Sequence, residues 1–161
     1  MIKAVKEPDP TSAGLDWGLL DGVVGPHVRL LRNLLTSRSL AALAPFGLPP
    51  GSLSLLTLIH ANPGCSQSDL AQATGLNKSA IVAILDELEQ RDLALRGRAS
   101  NDRRRNCLSL TSAGEEQIHQ MLAVQIAQEA PIRTELSKAE LLQLISLLTR
   151  ANIAVARTSK E

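Results

Sequence analysis

The chain has 161 residues, with 17 Lys and Arg against 16 Asp and Glu for a net charge of +1. That length suits one domain with appended helices, and the near-neutral balance excludes a basic surface over the whole molecule. Trp17 and Phe46 are the only aromatic rings besides three histidines, so Leu, Ile, Val and Ala must supply the packing, which favours helices.

Lys3, Lys6, Glu7, Pro8 and Pro10 stand where a signal peptide would carry an apolar stretch. Arg29, Arg32 and Arg38 interrupt the richest early apolar segment, so no run is expected to span a membrane and the chain reads as cytoplasmic. Cys65 and Cys107 form neither a CxxC pair nor a zinc ligand set and read as ordinary thiols. No metal or cofactor is expected.

Residues 1–14, polar and carrying Pro8, Pro10 and Gly14, are expected to form a mobile tail. From Leu15 to Leu43 apolar residues recur at helical spacing on two stripes, one through Leu20, Val24, Val28, Leu31 and Leu35, the other through Leu19, Val23, Leu30 and Leu34. The Gly25-Pro26 pair should kink or divide that helix. Ser52 is expected to cap a second helix, which stops at Asn62-Pro63-Gly64. Ser66 to Asp69 then has the spacing of a capping box, opening a short helix that ends at Gly75.

Next comes the stretch on which the reading turns. A fifteen-residue helix is expected from Asn77 to Arg91, about 22 Å long and suited to a DNA major groove. Ile81, Ile84, Leu85 and Leu88 form its buried stripe, leaving Lys78, Ser79, Ala80, Val82, Ala83 and Asp86 outward. A short helix, a glycine turn and a longer helix that begins polar make a helix-turn-helix pattern. Leu93 and Leu95, then Leu108 and Leu110, alternate as in a half-buried hairpin whose charged loop spans Asn101 to Arg105, in the manner of a wing. Six arginines, Arg91, Arg96, Arg98, Arg103, Arg104 and Arg105, against Asp92 and Asp102 give this region a local charge of +4.

Ser112 to Glu115 is a second capping-box pattern, opening a helix that should end near Pro131. Ser137 to Glu140 is a third, opening the last helix. The fold class is therefore mainly α with a small β-hairpin. The flanking helices carry more apolar stripe than one lobe can cover, which a dimer would resolve.

These residues resemble the MarR family of bacterial winged-helix regulators. The resemblance runs through Asn62-Pro63-Gly64-Cys65-Ser66-Gln67, Asp69-Leu70-Ala71, Gly75-Leu76-Asn77-Lys78-Ser79, Leu85-Asp86-Glu87-Leu88-Glu89, Asp102-Arg103-Arg104-Arg105 and Leu108 to Gly114, over roughly residues 15 to 156. It implies an N-terminal dimerisation helix at 15–45, a winged helix-turn-helix lobe at 46–111 and C-terminal dimerisation helices at 112–161. It further implies an obligate homodimer on double-stranded, pseudo-palindromic operator DNA, and a pocket between dimer helices and lobe for a small aromatic or phenolic effector. By the same resemblance Asp102 orients Arg104, which enters the minor groove, while Arg103 and Arg105 reach phosphates. The chain departs from the family pattern at Val82 and Ala83, where many members are polar, and at Pro26. It also lacks the first-helix cysteine of the peroxide-sensing branch.

The residue chemistry agrees with this assignment. Asn77, Lys78 and Ser79 offer short polar groups to bases and phosphates, whereas Val82 and Ala83 offer only apolar contact with thymine methyls; packing of both inside the lobe is the competing reading. Ser66 and Gln67, at a helix start, are candidate phosphate contacts. Candidate effector contacts are Trp17, His27, Arg29, Arg32, His60 and Met121, each of which could instead be a surface charge or core residue. The motifs of common enzymes are absent, so no catalytic residues are expected. A winged helix used for protein interaction and a thiol-based redox regulator are the alternative functions.

Overall fold

The computed structural model describes residues 15–99 and 102–158; for 98–99 and 102–106 the backbone alone is described. The expected tail, 1–14, lies outside the described residues. Two compact units divide the chain, Met1–Ser37 and Arg38–Glu161.

In the first unit a short 3-10 helix, Gly18–Gly22, precedes helix α1, Val24–Leu43, whose last residues belong to the second unit. Between them Val23 is extended, with φ −109 and ψ 120. Gly25 and Pro26 therefore fall in the first turn of α1, where a missing amide hydrogen removes no helical bond. The pair divides the helical stretch at its start, and Pro26 is not a defect inside it. The Trp17 and His27 rings stack with centroids 4.8 Å apart and planes 22° apart. Leu19, Leu20, Val23, Val24, Val28 and Leu34 are exposed, and no residue of α1 is buried.

The core lies in the second unit. Helix α2, Ser52–Ala61, contributes Leu55, Leu56 and Ile59; α3, Gln67–Thr74, contributes Leu70; α4, Lys78–Gln90, contributes Ile81, Ile84, Leu85 and Leu88. Leu93, Ala94 and Leu108 come from the hairpin, and Ile118 and Met121 from α5, Ser112–Gln128. Each such Leu or Ile gains about 1.5–3 kcal/mol by leaving water.

Several ends differ from expectation. Ser52 is the first residue of α2 and not its cap. Its hydroxyl is buried and donates to the Pro49 carbonyl at 2.7 Å, while Gly51 takes the preceding position at φ 95, a value that favours glycine. Thr111, not Ser112, caps α5, accepting from the Gly114 amide at 3.0 Å and donating to the Asp92 carbonyl at 2.6 Å. The Ser66–Asp69 box forms as expected, as do the Ser137–Glu140 bonds, which hold the Glu140 carboxyl below its ordinary value through the Ser137 hydroxyl and amide.

Strands β1, Ala94–Ala99, and β2, Asp102–Leu110, pair antiparallel, with Ala94 opposite Leu110 and Arg96 opposite Leu108. Leu108 and Leu110 face the core as expected, but on β1 the alternation departs from the expected one. Asp92, at φ 56, turns the chain so sharply after α4 that Leu93 is buried before the strand begins, and Leu95 then faces out, 50% exposed. Asp102 to Arg105 belong to β2, not to a loop.

After α5 a short helix, α6, Ala130–Glu135, starts where Pro131 was expected only to end one. Proline suits a first turn as well as it stops a last one. Helix α7, Lys138–Thr158, has no buried residue, and Leu142, Ile145, Leu147, Ile153 and Val155 are exposed. Its 18-residue window of mean hydropathy 1.3 makes it long and apolar enough to cross a membrane, contrary to the expectation that no run would qualify.

Candidate nucleic-acid interface and effector cavity

Helix α4 is fixed by its buried stripe and by its cap. The Asn77 Oδ1 accepts from the Ala80 amide at 2.8 Å and from the Ser79 hydroxyl at 2.7 Å. Asn77, Lys78, Ser79, Val82 and Ala83 are all exposed, Val82 by 39%. The competing reading, with Val82 and Ala83 inside the lobe, fails. Ser66 and Gln67 are half-buried at the start of α3, and Ser66 is already engaged: its amide and hydroxyl both donate to the Asp69 carboxylate at 2.8 Å.

The arginines separate into two groups. Arg96 points back to α4, with Nη2 at 2.6 Å from Asp86, Nη1 at 3.1 Å from Glu89 and its own amide donating to Glu89 at 3.1 Å. Arg91 pairs with Glu87 at 2.6 Å and donates to the Gly47 carbonyl at 2.7 Å. Charge counted along the sequence puts both in one basic patch, but they neutralise the carboxylates of α4 and fasten the hairpin and the preceding loop to it. Asp86, expected to face outward, is half-buried in this pairing. The remaining arginines of the stretch, Arg98 and Arg103 to Arg105, fall along the backbone toward the end of the hairpin. There the register passes from Arg98 opposite Asn106 to Ala99 opposite Asp102, so that Arg103, Arg104 and Arg105 occupy the irregular offset. The side chains of Asp102 to Arg105 lie outside the described residues.

A cavity of about 480 Å³ opens within the second unit. It is lined by Ser39, Leu40, Leu43 and Ala44, by the segment from Leu48 to Ser54, and by Met121 and Gln125 of α5. Ser39 donates to the Gln125 Oε1 at 2.6 Å, tying the end of α1 to α5. Of the expected effector contacts only Met121 lines this space, 2% exposed to solvent. Trp17, His27, Arg29 and Arg32 belong to the first unit, where Arg32 lies 3.5 Å from Asn33 and His27 from Asp21 O at 3.1 Å. His60 faces Glu115 at 3.8 Å. A search for charged groups in the sequence passes over Ser39 and Gln125. Nothing local marks them: Gln125 has Gln128 and Glu129 one turn on, and Ser39 has Thr36 one turn back.

Burial, and next the Asp69 carboxylate, push the Cys65 thiol above its ordinary value, with a backbone hydrogen bond opposing and Cys107 adding to the rise. A raised thiol is a poor thiolate, which argues against a redox role for Cys65. The folded state holds this proton more tightly than the unfolded chain does. The thiol's contribution to stability is thus complete below the unfolded value and is lost as pH rises through the folded one. Urea unfolding from about pH 7 to about pH 10 should show a steeper alkaline loss in the wild type than in Cys65→Ser, with operator binding at neutral pH equal in both.

Residues 46–105 match the profile of the MarR family. A protein of Thauera aromatica named as a transcriptional regulatory protein for the hcr operon is 38% identical over 147 residues, 86% of this chain and 84% of that one. The transcriptional repressor CouR bound to a 23-mer DNA duplex is similar at 31% identity with a TM-score of 0.74, over 87% of this chain and 98% of that chain. CouR from Rhodococcus jostii RHA1 bound to p-coumaroyl-CoA is similar at 26% identity with a TM-score of 0.72, over 81% and 92%.

Proposed function

The chain belongs to the MarR family of transcriptional regulators, and from that premise we propose that it is a cytoplasmic, homodimeric repressor released from a pseudo-palindromic operator by a small aromatic or phenolic effector. The observation that carries this reading is the exposed face of α4, Asn77 to Ala83, standing beside a hairpin whose far end holds three consecutive arginines. In this reading Lys78, Ser79, Val82 and Ala83 meet base edges, Asn77, Ser66 and Gln67 meet the backbone, and the wing enters the minor groove.

Residues 15–45 and 112–161 are the dimerisation segments. The exposed apolar side chains of these segments support this: Leu19, in the 3-10 helix before α1, is 97% exposed and Val155, in α7, 66%, more apolar surface than a monomer ordinarily leaves in water. Two lobes would then address half-sites about 34 Å apart. The cavity is the effector site, because it joins the end of α1, the start of α2 and α5, the elements whose relative placement would set that spacing.

Gel-shift titration with the upstream DNA of its own gene tests the proposal, alongside sedimentation of the unbound protein. The expected result is a dimer with a Kd below about 1 µM at moderate salt. A monomer, or binding no tighter to this DNA than to random duplex, would refute it. Recovery of α7 with lipid vesicles would instead favour a membrane role for that helix.

A further inference from the structure

We propose that Ser79 reads its base as a hydrogen-bond acceptor alone, so that each half-site carries adenine or cytosine, and not guanine or thymine, at the position this side chain contacts. This rests on the reading of α4 as the helix that meets base edges. The polarity follows from the cap of that helix. The Ala80 amide can only donate, so the side-chain atom of Asn77 that it meets at 2.8 Å is the carbonyl oxygen Oδ1. The Ser79 hydroxyl lies 2.7 Å from that same oxygen, so it too must donate, and its one hydrogen is used inside the protein. Ser79 is nevertheless exposed, at the head of the face that continues through Val82 and Ala83.

What Ser79 can still offer is its oxygen lone pairs. A phosphate presents acceptors only and has no hydrogen to give this oxygen, so the DNA backbone is not its partner. In the major groove the complementary groups are the N6 amino group of adenine and the N4 amino group of cytosine, whereas guanine O6 and N7 and thymine O4 would set an acceptor against an acceptor. Val82 and Ala83 have no polar side-chain group, and Asp86, the next residue on this face, is held by Arg96 at 2.6 Å. Ser79 is thus the acceptor that this face leaves for a base edge. To donate to a keto base it must give up the bond to Asn77, one neutral hydrogen bond, whose net worth sets the preference for amino over keto bases at about 3- to 10-fold. The Asn77 amide nitrogen remains a donor, which suits a phosphate.

The test selects binding sites from a randomised duplex library with the full chain and three variants. The wild type is expected to enrich a half-site with one position at which adenine or cytosine exceeds guanine or thymine by about 3- to 10-fold. Ser79→Ala should level that position and leave the others as they were. Asn77→Gly keeps a tolerated cap residue but removes the oxygen that holds the hydroxyl hydrogen. It should level the same position, because Ser79 is then free to donate or to accept. Asn77→Asp, which keeps that oxygen, should retain the preference at lower overall affinity. In anisotropy titrations on the selected site, purine in place of adenine, or 2-pyrimidinone in place of cytosine, removes the amino group and should weaken the wild type while leaving Ser79→Ala unaffected. A half-site without an amino preference that Ser79→Ala removes, or one whose preference Asn77→Gly lowers in affinity but leaves unaltered in base choice, overturns the inference and leaves α4 standing as the DNA reader. Enrichment of no half-site by the wild type overturns both.

Discussion

Replacing Arg104 with alanine is expected to lower operator affinity by on the order of 10- to 100-fold, about 1.4–2.8 kcal/mol, with no change in thermal stability. The size follows from what the other arginines are doing. Arg91 and Arg96 are bound to Glu87, Asp86 and Glu89, so α4 presents Lys78 and little other positive charge to DNA. On the proposed reading, the electrostatic part of binding would come chiefly from the end of the hairpin, where the offset register places Arg103, Arg104 and Arg105. Arg103→Ala and Arg105→Ala should each lower the slope of log K against log salt by about 0.9 for each phosphate left without its cation. Arg104→Ala should instead blunt the preference for A·T over G·C pairs where the wing enters, because a narrow A·T minor groove carries the deepest negative potential. Fluorescence anisotropy over a salt series, on operators with A·T or G·C at those pairs, separates the two effects. Unchanged affinity in Arg104→Ala would favour a protein-interaction module over a DNA reader.

The sequence was most legible where one local pattern decides the outcome. The buried stripe of α4 and its exposed face follow from a period of 3.6, the Ser66 box follows from side chains that satisfy nearby backbone groups, and the left-handed Gly75, at φ 69, from a residue with no Cβ. Legibility failed where a long-range contact competes with a local one. Ser52 has the chemistry of a cap, but the Pro49 carbonyl claims its hydroxyl. Thr111 displaces Ser112 as cap because it alone also reaches the Asp92 carbonyl across the hairpin base. Leu95 fits the alternating pattern, yet the turn at Asp92 sets the phase of β1 and sends it outward. The charge count failed for the same reason, since the partners of Arg96 lie seven and ten residues back on another element. The cavity itself was not legible, because its walls are set by how the end of α1, the start of α2 and α5 pack, which no local pattern encodes.

Gly114 is the position where this long-range packing is most demanding, and Gly114→Ala is expected to cost about 3 kcal/mol or more. From the sequence it reads as a small residue inside a capping box. In the structure it is buried in the first turn of α5, and a Cβ added there would be driven into the Leu93 carbonyl. That carbonyl is fixed, because it accepts from the Thr111 amide at 3.2 Å while the Thr111 hydroxyl binds Asp92 next to it. Neither partner is a flexible side-chain end, so the clash is relieved only by moving α5 away from the base of the wing. The same shift would displace Met121 and Gln125, further along α5, from the cavity wall. Differential scanning calorimetry should therefore find a lowered melting temperature. At a temperature where the variant remains folded, calorimetric titration should show loss of effector binding along with weakened operator binding. A second variant, Thr111→Ser, keeps the capping hydroxyl and adds no atom where α5 meets Leu93, and it should retain most of the stability and both activities. If Gly114→Ala instead melts like the wild type, the close approach of α5 to Leu93 is not what holds the wing base, and the coupling of wing to cavity through this helix falls with it.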